Sequence, residues 1–156
     1  MHRRNLLFLV VLFWLLPWGV AEGVDYARWY PYDQASRHAR QSGRVMLVYF
    51  WSHGCVYCEQ MNTFVLSDEG VARALERHFV VASVDIHSPE GRALSRELRA
   101  VGTPTFVFLA PRQGAGPSAW QELGRLYGSR PRAQFLGELQ HICQRAGAEG
   151  GGERCG

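Results

Sequence analysis

The segment VYFWSHGCVYCEQM, residues 48–61, sets two cysteines three positions apart at the end of an apolar run. That run, from Val45 to Trp51, is rich in β-branched and aromatic side chains, which is typical of a strand buried on both faces. The residues after the run are compatible with a helix. Cys55 and Cys58 are therefore expected where a central strand ends and a helix begins.

Two cysteines at such a position can carry out redox chemistry. Residues i and i+3 of a helix share one face, so Cys55 and Cys58 can form a disulfide or stand side by side as thiols. At a helix N-terminus, unpaired N–H groups and the helix dipole stabilise a thiolate and lower its pKa. Cys55 is therefore the candidate attacking thiol, and Cys58, one turn deeper, is the candidate resolving thiol.

Three other interpretations of the cysteine pair remain open. A zinc ribbon needs a second close pair of ligands, whereas eleven residues separate Cys143 from Cys155. A purely structural disulfide between Cys55 and Cys58 closes a loop too short to constrain the unfolded chain much. A metallochaperone would bind its metal with His53 and the two thiols. Redox exchange fits the position between strand and helix best.

The rest of the chain predicts a layered α/β domain, because segments with helical spacing of apolar residues alternate with short β-branched runs. Helices are predicted at residues 32–42, from about 68, at 88–99 and from about 129, and strands at 45–51, 79–86, 105–110 and 119–128. The order of these elements favours adjacent parallel strands first and an antiparallel hairpin last.

The first 21 residues have the pattern of a secretory signal peptide, with a basic start, an apolar centre and Ala21 at the cleavage site. The apolar stretch of about 15 residues is shorter than the roughly 20 that a membrane-spanning helix needs, which favours cleavage over anchoring. We expect a signal peptide at 1–21, one domain at 22–146 and a flexible Gly-rich tail at 147–156. The expected location is the periplasm, where disulfides persist.

The charge pattern gives no sign of a nucleic-acid surface. The chain has 17 basic residues, all arginine, against 14 acidic residues. The two signs alternate along the predicted helices instead of clustering. No nucleic-acid partner is expected.

Three segments together resemble the thioredoxin superfamily over the whole predicted domain: residues 48–61, SDEGVARALERHFVVASVDI (67–86) and AVGTPTFVFLAPRQG (100–114). The similarity is greatest to exported members, namely the C-terminal domain of DsbD-type disulfide reductases and the SoxW-like thioredoxins. It implies a thioredoxin-like α/β fold, in which helices flank a central mixed β-sheet of parallel strands and a C-terminal antiparallel hairpin.

The resemblance also implies a function and the residues that perform it. Cys55 and Cys58 would form a redox-active disulfide, with Cys55 as the nucleophile. The Thr103–Pro104 peptide bond would be cis and face the cysteines, and the backbone of Thr103 would pair with an extended substrate segment. The implied activity is reduction of protein disulfides by a monomer without a cofactor or metal, supplied with electrons by a transmembrane thiol-electron transporter of the DsbD or CcdA type.

Two positions depart from the family pattern. Tyr49 stands where thioredoxins have a buried aspartate, six residues before the first cysteine, and Gly54 replaces a tryptophan. His53 and Glu59 are the ionisable side chains nearest to the cysteines in sequence. They are candidates to tune the pKa values of the two thiols.

The other two cysteines lie at the end of the chain. Because an exported protein can keep disulfides, Cys143 and Cys155 are expected to form a second one that pins the tail to the last helix. In the alternative, both thiols are free, or Cys155 exchanges with the active site.

Overall fold

The computed structural model describes residues 29–112 and 119–150, with side chains as far as residue 148. These residues form five α-helices and four strands in the order α1-β1-α2-α3-β2-α4-β3-β4-α5. The strands are β1 (Val45–Trp51), β2 (Phe79–Asp85), β3 (Thr105–Pro111) and β4 (Trp120–Tyr127). The helices are α1 (Tyr32–Ser42), α2 (Val56–Met61), which a π-helical segment (Asn62–Leu66) continues directly, α3 (Glu69–His78), α4 (Pro89–Glu97) and α5 (Arg132–Gly150).

The four strands form one mixed sheet in the order β2-β1-β3-β4. β1 and β2 run parallel, whereas β3 is antiparallel to both β1 and β4. Phe50 of β1 lies opposite Thr105 of β3, which in turn lies opposite Tyr127 of β4. The loop that follows β1 and the loop that precedes β3 therefore meet at the same end of the sheet. The predicted mixed sheet with a C-terminal antiparallel hairpin is confirmed.

Strand β1 is buried on both faces, as its apolar composition predicts. Alternate side chains of a strand point to opposite sides of the sheet. One apolar cluster contains Val45, Leu47 and Tyr49 with residues of α2, α3 and α5, and the other contains Met46, Val48 and Phe50 with residues of α1 and α4. The sheet is therefore the middle of three layers, with helices on both faces.

The strand boundaries agree with the sequence-based predictions to within one residue, but the end of the last helix does not. Helix α5 continues to Gly150, whereas the tail was expected to begin at residue 147. The apolar face of α5 extends through Leu139 and Ile142 to Ala146, which is buried in the core.

Several sequence-based expectations fall on residues outside the described ranges. The signal peptide at residues 1–21, most of the connector between β3 and β4 (113–118) and the end of the tail (151–156) belong to this group, and they stay predictions. Among the described residues, no helix combines the length and the apolar character needed to cross a membrane.

The start of α4 packs tightly against the end of β2. The Ser88 hydroxyl accepts a hydrogen bond from the Gly91 N–H at 2.9 Å and caps the helix, and Pro89 occupies the first helical position. A Cβ atom on Gly91 would lie 1.9 Å from the carbonyl oxygen of Asp85. Only glycine fits there without moving the backbone.

We therefore expect Gly91→Ala to lower the free energy of unfolding by about 3 kcal/mol, the upper end of the range for overpacking. Gly137→Ala in α5 is the matched control, because a Cβ there meets no atom within 4 Å. Since alanine favours helix, the control should raise stability by about 0.8 kcal/mol. Urea denaturation measures both values, and equal effects of the two substitutions would contradict the packing of Gly91.

Helix α3 begins at Asp68, which also connects it to α5. One carboxylate oxygen accepts the N–H groups of Gly70 and Val71 at 2.9 and 3.1 Å. The other oxygen accepts a hydrogen bond from Arg132 at 2.7 Å. The bond from Arg132, followed by the bond from the Val71 N–H, lowers the pKa of Asp68 below its usual value of 3.8.

Because the pKa of Asp68 is lower in the folded than in the unfolded state, the charged carboxylate stabilises the fold above about pH 3.8, and this contribution is lost as the pH falls further. Asp68→Asn keeps a capping side chain but removes the charge. Its Tm should be below that of the wild type at about pH 6, and the difference should vanish toward about pH 3. Arg132→Gln should behave in the same way. A Tm difference independent of pH would contradict a stabilising role for the charge of Asp68.

Candidate active site

The two cysteines lie where β1 gives way to α2, as the sequence predicts. They form a disulfide with their Cα atoms 5.2 Å apart. Cys55 is the N-cap of α2 and is half-buried, whereas Cys58 lies inside the first turn and is 2% exposed. The sulfur of Cys55 is therefore the one that an incoming molecule can reach.

The backbone around Cys55 explains the glycine that precedes it. Gly54 has a φ of +69°, in the left-handed region that non-glycine residues rarely adopt. This turn lets the chain leave β1 and enter α2 with Cys55 at the cap. The positive φ explains why glycine suits this position of the chain.

Hydrogen bonding at the cap favours negative charge on Cys55. The backbone N–H of Cys58 donates to the Cys55 sulfur at 3.1 Å. When the disulfide is reduced, the same N–H faces the Cys55 thiolate, and an N–H group at a helix start stabilises an anion. Cys55 is therefore suited to attack and Cys58 to resolve.

The loop from Arg99 to Pro104 lies beside the cysteines at the same end of the sheet. Its Thr103–Pro104 peptide bond is cis. The Pro104 carbonyl accepts the N–H of Gly128 at 2.9 Å, and the hydroxyl of Thr105 donates to the Gly102 carbonyl at 2.6 Å. These bonds fix the end of the loop that enters β3.

The other end of the loop is held by Arg125 of β4. Its Nη1 donates to the carbonyl oxygen of Arg99 at 3.1 Å, at a residue with the positive φ of 54°. Glu122 holds the guanidinium in place, with Nε donating to its Oε1 at 2.6 Å. The hydrogen bond to Glu122 is also the main reason that the pKa of Arg125 is raised.

A pair of hydroxyl groups joins the two loops. Ser52 Oγ lies 2.8 Å from Thr103 Oγ1, and the contact is partly buried. Ser52 follows β1 and precedes the cysteines, whereas Thr103 precedes the cis-proline. The backbone N–H and C=O of Thr103 make no hydrogen bond to any residue that the structure describes.

Tyr49 occupies the position of the buried aspartate of thioredoxins. Its ring is stacked on Phe106 with centroids 4.8 Å apart, and its hydroxyl donates to Asn62 Oδ1 at 3.0 Å. Asn62 follows Cys58 by one helical turn, and its N–H donates to the Cys58 carbonyl. An uncharged tyrosine–asparagine pair therefore lies beneath the helix that carries the cysteines.

His53 and Glu59 are both exposed at the rim of the site. The ring of His53 packs edge-on against Trp51, with centroids 5.0 Å apart. Glu59 donates its backbone N–H to the carbonyl of Cys55 at 3.0 Å. Their proposed influence on the thiol pKa values stays a prediction.

Three residues of the site are not predicted from the sequence, namely Ser52, Asn62 and Arg125. Ser52 carries a weak signal, since a polar residue directly after a buried strand is a candidate for a contact at the sheet end. Asn62 follows Cys58 by four residues, and residues at this spacing in a helix lie on the same face. No local pattern identifies Arg125, because its partners lie far from it in the chain.

Large apolar side chains are exposed at the start of α2, on the cis-proline loop and at the end of β4. Val56 and Tyr57 lie between the cysteines and are 62% and 59% exposed. Val101 of the cis-proline loop is 88% exposed, and Tyr127 at the end of β4 is also exposed. Such a surface suits contact with an apolar segment of another protein better than with a small polar molecule.

Cys143, the remaining described cysteine, is itself disulfide-bonded and packs against the core beneath α5. Its predicted partner, Cys155, lies outside the described residues, so the Cys143–Cys155 pairing stays a prediction. In residues 29–112 and 119–150, no group of three or more histidine, cysteine, aspartate or glutamate side chains is placed to hold a metal ion.

Comparison with known proteins agrees with this geometry. The profile of the thioredoxin-like domain family matches residues 32–142. The thiol:disulfide interchange protein DsbD of Yersinia enterocolitica is 30% identical over 105 residues, which are 67% of this chain and 17% of that protein. The chain thus spans about a sixth of the length of this relative.

Solved structures have the same fold. The solution structure of a thioredoxin from Thermus thermophilus is 58% identical and superposes with a TM-score of 0.71 over 79% of this chain and 92% of its own. The reduced C-terminal domain of DsbD from Neisseria meningitidis, 19% identical, has a TM-score of 0.54 over 70% of this chain and 91% of its own. With its cysteine pair at the start of α2, the chain belongs to the thioredoxin-like domain family.

Proposed function

We propose that this protein is an exported thiol–disulfide oxidoreductase that reduces disulfides of periplasmic proteins. The observation that carries the proposal is the position of the Cys55–Cys58 disulfide, with the sulfur of Cys55 at a helix cap and the Thr103–Pro104 loop joined to the same site. This arrangement combines a reactive sulfur with a backbone segment that can hold a substrate.

The reaction proceeds by two exchanges of sulfur partners. In the reduced protein, the Cys55 thiolate attacks one sulfur of the substrate disulfide, whose S–S bond breaks, and the departing sulfur takes up a proton. The thiolate of Cys58 then attacks the Cys55 sulfur of the mixed disulfide. The second substrate sulfur leaves as a thiol, and the Cys55–Cys58 disulfide forms. Two electrons pass to the substrate.

The burial of the two cysteines fits this order of events. Cys55 is half-buried at the cap, so a protein disulfide can approach its sulfur. Cys58 is 2% exposed and one turn away, so it reacts with the neighbouring Cys55 rather than with a second substrate. This separation of roles keeps the resolving step within the protein.

The backbone of Thr103 supplies the contact to the substrate main chain. Its N–H and C=O groups have no partner among the described residues, and an extended peptide can pair with such groups as an added strand. The side chains of Tyr57 and Val101 are exposed and can add apolar contacts to the substrate. Binding of this kind is compatible with many substrate sequences, because the hydrogen bonds are made to backbone groups.

The resemblance to DsbD-type disulfide reductases supports the reductive direction, and the N-terminal sequence supports the location. DsbD of Yersinia enterocolitica bears the name thiol:disulfide interchange protein, and the matched part of this chain covers 17% of it. The pattern of residues 1–21 supports export to the periplasm. A transmembrane thiol-electron transporter of the DsbD or CcdA type would then restore the Cys55 and Cys58 thiols.

The roles of the two cysteines are tested by trapping mixed disulfides. Reduced Cys58→Ala protein mixed with a periplasmic extract should form mixed disulfides with protein partners, because the resolving thiol is missing. Cys55→Ala should form few or none. Non-reducing electrophoresis followed by reduction detects the adducts. Accumulation with Cys55→Ala rather than Cys58→Ala would reverse the two roles.

The direction of electron flow is tested by the reduction potential of the pair. We expect a value closer to the about −270 mV of thioredoxin than to the about −120 mV of a strong oxidant. The oxidised fraction of Cys55 and Cys58 is measured by peptide mapping after equilibration in thiol buffers. A potential near that of the strong oxidant would keep the exchange chemistry but reverse its direction.

Insulin reduction and metal content, measured on the same preparation, separate exchange from metal transport. The purified protein should reduce insulin disulfides with dithiothreitol as the electron source. Stoichiometric bound metal without insulin reduction would contradict the proposal and support the metallochaperone that uses His53 with the two thiols.

A further inference from the structure

The loop that carries Thr103 is hydrogen-bonded at both ends and at Gly102. Arg125 donates to the carbonyl of Arg99, and the Gly128 N–H donates to the carbonyl of Pro104. The Thr105 hydroxyl donates to the carbonyl of Gly102. None of these bonds joins the loop to residues 52–55, so its position relative to the attacking cysteine depends on the side chain of Thr103.

That side chain is held by Ser52. The two hydroxyl oxygens are 2.8 Å apart. Among the residues that the structure describes, this is the one hydrogen bond that joins residues 52–55 to residues 99–104. It spans the gap between the loop with the attacking cysteine and the loop with the substrate-binding backbone.

Ser52 is itself placed by a rigid neighbour. The indole Nε1 of Trp51 donates to the Ser83 hydroxyl at 2.9 Å, and the Trp51 carbonyl accepts the N–H of Ile86 at 2.9 Å. These bonds hold the end of β1 against β2 and the residues after it. The Ser52 hydroxyl, attached at this point, therefore fixes Thr103 relative to the sheet.

We propose that Ser52 and Thr103 act together as positioning residues, whose hydrogen bond sets the distance between the Cys55 sulfur and the substrate-binding backbone of Thr103. The inference rests on the proposed disulfide exchange. Neither residue touches the reacting sulfurs. Their bond orders the loop before the substrate arrives, so less ordering remains to be done on binding.

The consequence is a selective effect on protein substrates. A protein disulfide must contact the Thr103 backbone and the Cys55 sulfur at once, so it requires the correct spacing of the two loops. A small disulfide such as 5,5′-dithiobis(2-nitrobenzoic acid) needs the sulfur alone. Loss of the hydroxyl pair should therefore weaken the first reaction and leave the second unchanged.

A double-mutant cycle on Ser52→Ala and Thr103→Val tests the inference, with insulin as substrate and dithiothreitol as the electron source. Each single substitution should raise KM for insulin by about fivefold, the change expected for one neutral hydrogen bond, with little change in kcat. The double variant should also show about a fivefold increase, because the second substitution removes nothing further.

Three controls accompany the cycle. Thr103→Ser keeps the hydroxyl, so its KM for insulin should equal that of the wild type. Thr103→Val keeps the shape but lacks the hydroxyl, so its KM should be raised. Ser95→Ala removes an exposed hydroxyl of α4 that bonds to its own helix, and it should change nothing. Thermal unfolding confirms that each variant is folded, and the rate with the small disulfide should be the same for Ser52→Ala and Ser95→Ala as for the wild type.

The possible outcomes are distinct. If the wild type is active but the KM increase of the double variant is the product of the two single increases, the inference alone is contradicted. The same holds if Thr103→Ser raises KM as much as Thr103→Val does. A fall in kcat, or in the rate with the small disulfide, would also contradict it. A wild type that reduces no insulin would contradict the proposed function and this inference with it.

Discussion

The burial of β1 on both faces is the constraint on which the rest of the structure depends. Its alternate side chains enter two separate apolar clusters, so the helices on both faces of the sheet pack against it. Because β1 also pairs with β2 on one side and β3 on the other, it fixes the end of the sheet at which the site lies. The position of Cys55 follows from where this strand stops.

Two pairs of uncharged side chains are hydrogen-bonded next to the cysteines. Tyr49 and Asn62 lie beneath the cysteine helix, and Ser52 and Thr103 join the two loops above the sheet. Thioredoxins usually have a buried aspartate at the position of Tyr49, whereas here the Tyr49 hydroxyl donates to Asn62. An uncharged pair at this depth also avoids the free energy required to bury an ion.

The sequence was sufficient to predict the strands, the order of the layers and the cysteine pair, because all three depend on local patterns. Val45–Trp51 is apolar throughout, and Cys55 and Cys58 follow it directly. The Ser52–Thr103 contact joins residues 51 positions apart, and Arg125 reaches back 26 positions to Arg99. Contacts of this kind depend on the folded arrangement, and no periodicity in the sequence indicates them.

The central claim is that Cys55 is the reactive thiol of the pair and Cys58 its protected partner. The most direct test is to treat the reduced protein with less than one equivalent of iodoacetamide and to locate the label by peptide mapping. The structure predicts label on Cys55, since it is the more accessible sulfur and faces the Cys58 N–H. Equal labelling of both residues, or preferential labelling of Cys58, would contradict the account.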